Sequence, residues 1–206
     1  SASADSSTAT ALSAWQVGRI FQDDTAVHGQ TYYYSIRSAT DATLDRISPL
    51  SVAASGYRGV PEPDGVGSSR GNLQHVQVEW DPIDGADRYR VYRSEIADST
   101  LAAPVTDWIG ELVFADTTSQ RGKTYYYWVR AAAGDRLGPL STAANGYRGL
   151  AVVDQAEVVL GRPDKVGLAW PAILGASHFE IYRGSSPDSA KAAAISGWVA
   201  DRQFDD

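Results

Sequence analysis

The chain repeats itself about every ninety residues. FQDD at 21–24 returns as FADT at 114–117 and as FDD at 204–206, TYYY at 31–34 returns at 124–127, and GYRG at 56–59 returns at 146–149. WDPIDGADRYRVYR at 80–93 returns in looser form as WPAILGASHFEIYR at 170–183. Self-similarity at a fixed period exposes the structural unit directly, so the chain reads as an array of one small fold. Thr31 to Thr124 is 93 residues and Gly56 to Gly146 is 90. The difference falls in one loop (SATDATLDRISPL against AAAGDRLGPL), where length changes leave a shared core intact.

Inside the unit the periodicity is that of strands. VQVEW at 76–80, YRVYR at 89–93 and YYYWVRA at 125–131 alternate apolar and polar residues. Turn signals such as DPIDGAD, TTSQRGK and AAGDRLGP separate them. The Ala-rich window DSAKAAAI at 188–195 matches DSTLAAPV in the middle copy, where Pro104 intervenes, so both read as loops leading into an edge strand. Seven strands are expected in the middle unit: near 60–65, at 73–80, at 87–93, near 105–110, at 111–117, at 123–131 and at 140–148. So many short strands in one repeat predict an all-β, antiparallel two-sheet sandwich.

Composition narrows the partners. The net charge is −7, and phosphate backbones demand clustered positive charge, so nucleic acid is not an expected partner. The 18 basic residues are 15 Arg and 3 Lys, a bias suited to stacked or bidentate contacts and equally to genomic composition. Without cysteine there are neither disulfides nor thiolate metal sites, so the cores must hold the fold. No apolar run is long enough to span a membrane. The opening SASADSSTATALSA has no basic region and no apolar region, so it is not itself a signal peptide.

VEWDPIDGADRYRVYRS, then FADT, then GKTYYYWVRA, then GPLS together resemble a fibronectin type III domain, most closely the bacterial versions. The resemblance covers the whole chain. It implies tandem immunoglobulin-like sandwiches, with Trp80 central in the core and Trp170 as its copy. It also implies that Tyr125, and Tyr32 in the first copy, form the tyrosine corner leading into the sixth strand. No RGD tripeptide is present, so integrin binding has no support. On this alignment residues 1–59 are the C-terminal half of a unit, 60–149 a complete domain and 150–206 the N-terminal half of another. Either the segment is an arbitrary stretch of a longer array, or the halves complete one another between chains. The second arrangement is heterologous and builds a head-to-tail filament.

No catalytic constellation emerges. His28, His75 and His178 lie in separate strands and loops and read as surface or satisfied polar residues. With no paired histidine a zinc site is not expected. Asp23–Asp24, Asp205–Asp206 and the Glu62/Asp64 run invite calcium, but they read better as turn residues. The glycines form no phosphate cradle, and no cofactor is expected. One constellation stands above background. Strand alternation turns Tyr125, Tyr127 and Val129 inward with Tyr89 and Val91, and it turns Arg90, Tyr92, Tyr126, Trp128 and Arg130 outward as one exposed patch. The patch reads either as cross-strand stabilisation or as an interface.

The expected function is structural: a spacer or repeat segment of a secreted or surface-attached bacterial protein, or a filament subunit. The alternative is a polysaccharide- or protein-binding accessory module of an extracellular enzyme. The partners would be a second copy, neighbouring domains or a polysaccharide.

Overall fold

A computed structural model describes residues 9–40, 46–159 and 164–206. In chain order its strands are β1 (Thr31–Tyr34), β2 (Ala54–Tyr57), β3 (Gly67–Ser68), β4 (Arg70–Asn72), β5 (Val76–Glu79) and β6 (Arg88–Ser94). They continue with β7 (Ala103–Pro104), β8 (Val113–Asp116), β9 (Thr124–Ala133), β10 (Arg136–Leu140) and β11 (Ala144–Arg148). The last are β12 (Glu157–Val159), β13 (Gly167–Ala169), β14 (Tyr182–Arg183), β15 (Ala193–Ala194) and β16 (Gln203–Asp205). Contacts group the chain into two compact units: Ser1–Gly67 with Glu79–Phe114 and Tyr127–Ala144, and Ser68–Val78 with Ala115–Tyr126 and Asn145–Asp206.

The central sandwich has one sheet in the order β3-β5-β8 and another in the order β4-β11-β9-β6-β7, with β10 hairpinned onto β9. The inward set predicted from alternation is buried (Tyr89, Val91, Tyr125, Tyr127 and Val129), and so are Val76 and Val78 of β5. Burying such side chains stabilises by about 1.5–3 kcal/mol each before entropy is counted, which is how a chain without disulfides holds this fold. Trp80 is buried with its ring centroid 5.6 Å from that of Tyr89, and Trp170 repeats the arrangement 5.4 Å from Phe179. The β9–β10 hairpin closes on Gly134 and Asp135, and Gly134 has φ 55°, the conformation a two-residue hairpin turn requires at its first position.

Two expected strands lie elsewhere. The run placed near 60–65 is irregular, and pairing begins at β3. Pro61 and Pro63 have no N–H to donate, so a ladder can start only beyond them. Past that point the chain pairs on both sides of Ser69: its N–H reaches Gln77 O at 2.8 Å, and its carbonyl accepts from Tyr147 N at 3.3 Å. The expected edge strand near 105–110 is displaced towards the N-terminus, with Tyr92 opposite Pro104 in β7. An edge tolerates that proline because its missing donor faces no neighbour. The Ala-rich loops each hold one 3-10 turn, Ser99–Leu101 and Ser189–Lys191, capped by the side chains of Asp98 and Asp188.

Among the described residues the flanking copies contribute fewer strands. Residues 9–59 contribute β1 paired with β2, running from Thr31 opposite Tyr57 to Tyr34 opposite Ala54. Residues 151–206 contribute a β12-β13-β16 sheet and a β14-β15 pair.

Candidate functional site

Two places concentrate polar and aromatic side chains: the outer face of β6 and β9, and a loop junction that occurs twice.

On the outer face, Arg90, Tyr92, Tyr126 and Arg130 are half-buried, but Trp128 is only 4% exposed. The exposed patch expected there therefore loses its largest ring. Alternation fixes only the side of a sheet a residue faces, and long neighbours on that face can lie across it. What remains is a set of stacked arginines. The Arg130 guanidinium sits 5.7 Å from the Tyr92 ring centre, and those of Arg88 and Arg90 sit 5.5 and 5.9 Å from Trp108. Arg90 Nε also donates to the Thr106 carbonyl at 3.1 Å. Trp108 escaped the sequence reading because it lies outside any alternating run. Its recurrence as Trp15 and Trp198 was the available signal, and Arg37 packs 5.8 Å from Trp15.

The junction is built from the GYRG motif, the turn before TYYY and the glycine of DPIDGAD. In its first occurrence Gly29 N donates to Arg58 O at 2.8 Å, while Arg58 Nη1 reaches the carbonyls of Asp24 at 2.8 Å and Ala26 at 3.4 Å. His28 Nδ1 lies 2.6 Å from Gly59 O. Arg136 donates to Gly29 O and, at 2.8 Å, to Thr31 Oγ1, with its guanidinium 4.1 Å from the Tyr57 ring centre. Gly85, at φ 82°, presses on this loop so closely that a Cβ there would stand 2.3 Å from His28 O. A cavity of about 500 Å3 opens beside these loops, between His28 and Arg136.

The second occurrence repeats the motif arginine's two ties and the close glycine approach, with Arg121 where the first has His28. Gly122 N donates to Arg148 O at 2.9 Å, and Arg148 Nη1 reaches the carbonyls of Thr117 at 3.1 Å and Ser119 at 3.0 Å. Gly175, at φ 91°, stands where a Cβ would lie 2.4 Å from Arg121 O. Arg58 and Arg148 thus each tie a motif to two carbonyls of the preceding turn, using the several donors of one planar guanidinium. The sequence reading used GYRG only as a repeat marker and missed this role.

Of the acidic residues considered for calcium, Asp23, Asp205 and Asp206 have protein partners. Asp23 Oδ1 accepts from Thr25 N at 3.0 Å and Thr25 Oγ1 at 2.7 Å, and its Oδ2 accepts from Tyr34 Oη at 3.0 Å. The Thr25 hydroxyl is the main cause holding the Asp23 carboxyl below the usual aspartate range, and burial followed by Asp23 itself pushes the Tyr34 phenol up. Asp116 takes the same position in the middle copy but is fully buried, accepting from Thr118 N, Thr118 Oγ1 and Ser119 N. Asp205 pairs with Lys165, and Asp206 with Arg183 at 2.8 Å. Among the described residues no three carboxylate or imidazole groups gather as a metal cluster would require. His28, His75 and His178 stay apart. Tyr32, the implied corner residue, accepts at its hydroxyl from Val27 N at 3.4 Å, and Tyr125 is buried at the start of β9.

A two-sheet sandwich with this strand order, antiparallel but for the parallel β4–β11 pair where an antiparallel sandwich was expected, a buried Trp80 and a tyrosine near the start of the long β9 define an immunoglobulin-like class. The fold within that class is fibronectin type III. No protein-family model matches the chain. It is similar to the crystal structure of an Fn3-like protein from Clostridium thermocellum, at 23% identity over 46% of this chain and 99% of that one, with a TM-score of 0.41. It is similar to the FN1-FN3 domains of chicken CNTN1, at 17% identity over 86% of this chain and 67% of that one, with a TM-score of 0.36. It is also similar to pectate lyase Pel3 from Pectobacterium carotovorum, at 21% identity over 39% of this chain and 26% of that one, with a TM-score of 0.35.

Proposed function

We propose that the chain is a non-catalytic spacer within a tandem fibronectin type III-like array of a secreted or surface-attached bacterial protein. Residues 60–149 form its complete repeat, and 1–59 and 150–206 are the rear and front halves of its neighbours. One observation carries this reading. The same junction of arginine, turn carbonyls and paired glycines occurs twice, one repeat apart. A linker that merely tethers domains has no reason to repeat a backbone approach that only glycine permits. A device that fixes the spacing between successive sandwiches does.

The test is motion within a dilute, monomeric sample. Nitrogen-15 relaxation is expected to give residues 88–133 and 167–205 one common tumbling time. Gly175→Val adds a side chain at positive φ against Arg121 O, and it is expected to give 167–205 a shorter time while 88–133 keep theirs. Independent tumbling in the unaltered chain would remove the spacer reading.

A further inference from the structure

The arginines on the outer face of β6 and β9 are held by rings rather than by carboxylates. Arg88 and Arg90 lie against Trp108, and Arg130 lies against Tyr92. The chain has 25 acidic residues against 18 basic ones, so carboxylates are in excess. Yet among the described residues only Arg88 of these three contacts one, Asp87 Oδ1 at 3.9 Å, too far for a hydrogen bond. Arg88 Nε and Arg130 Nε are both enclosed without a hydrogen-bond partner. Arg88 Nη2 donates to Gly134 O and Arg90 Nε to Thr106 O, which leaves further N–H donors on each planar fork. A ring face orients a guanidinium without neutralising it. This face therefore presents three oriented cations whose charge the protein does not cancel.

The surroundings select the partner. Both β6 and β9 have neighbours on each side, so no free strand edge is offered to a peptide here. Trp128 is 4% exposed and Trp108 is flanked by two arginines, so this face has no open indole to stack a neutral sugar or anchor an apolar side chain. Arg88 and Arg90 stand two residues apart on β6, about 7 Å along the strand. Arg130 stands on the adjoining β9. A linear polymer with carboxylates on successive units can meet these forks in turn, each through paired N–H···O bonds. We propose that the β6–β9 face binds an acidic polysaccharide through its uronic-acid carboxylates, with Arg88, Arg90 and Arg130 as the contacts. The surface lies within the intact central repeat and does not depend on the spacer reading.

Isothermal titration calorimetry of the 206-residue chain with alginate at low ionic strength tests this, with dextran and poly-L-glutamate as comparisons. Alginate is expected to bind, more weakly as salt is added, and dextran is not. Arg130→Gln removes one cation, and Arg90→Lys keeps the charge while removing the fork. Each should weaken alginate binding about tenfold, the loss of one charge-assisted contact, while near-ultraviolet circular dichroism of the core stays that of the parent. Arg202→Gln, outside the central repeat, changes the net charge equally and should bind like the parent. An absence of alginate binding would overturn the proposal. So would Arg130→Gln and Arg90→Lys chains that bind like the parent, or an equal loss in Arg202→Gln. Poly-L-glutamate bound as tightly as alginate would reassign the face to acidic polypeptides, and dextran bound as tightly would remove the role of the carboxylates. None of these outcomes alters the relaxation result that tests the spacer.

Discussion

At the scale of single residues, the repeated aspartate shows one side chain in two settings. Asp116 is buried and Asp23 partly open, yet both cap the same turn through a threonine two residues on. Removing Asp116 strands buried donors, so Asp116→Ala is expected to cost about 2 kcal/mol in urea unfolding, and Asp23→Ala less. The Asp23 carboxyl has its pKa lowered on folding, chiefly by the Thr25 hydroxyl. Its contribution is therefore complete above the ordinary aspartate value and is lost as pH falls through the lower folded value. Carbon-13 titration should place its midpoint below the usual range, and Thr25→Val should move it back up. The acidic turn was legible in the sequence as a turn. The burial of Asp116 was not, because exposure depends on what packs around the turn. Trp128 carries the same lesson: its parity on β9 was readable, but its cover was not.

At the scale of elements, strand length follows the number of neighbours. β6 has β9 on one side and β7 on the other, while among the described residues β14 pairs with β15. Amide exchange in dilute solution should consequently be slowest in β6 and β9 and much faster in β1 and β14, whose local sequences are similar. Packing follows the same division. Trp80→Ala is expected to cost about 3–5 kcal/mol, as large core truncations do, whereas exposed Trp198→Ala should lie within about 0.5 kcal/mol of the parent. Thermal or urea unfolding distinguishes them. The alternation of VQVEW, YRVYR and YYYWVRA made the core strands readable. The first central strand was expected near 60–65, but Pro61 and Pro63 offer no donors there and the ladder is assigned only from Gly67.

For the molecule as a whole, the repeat was the legible part, because identical motifs return in identical order. The junction was hidden, since it depends on glycines brought together from separate loops, and spacing alone does not say which loops meet. One recurring residue offers a practical handle. Trp15 and Trp198 stand open to solvent, while Trp80, Trp128 and Trp170 are enclosed. The indoles thus sort largely by location, with the open ones in the flanking pieces and, in the intact repeat, two enclosed ones beside the half-buried Trp108. Red-edge emission and its quenching by acrylamide would report on the extremities, while the blue-shifted component would mostly follow the middle. The chain carries its own optical gauge, its most open indoles, Trp15 and Trp198, lying towards its ends.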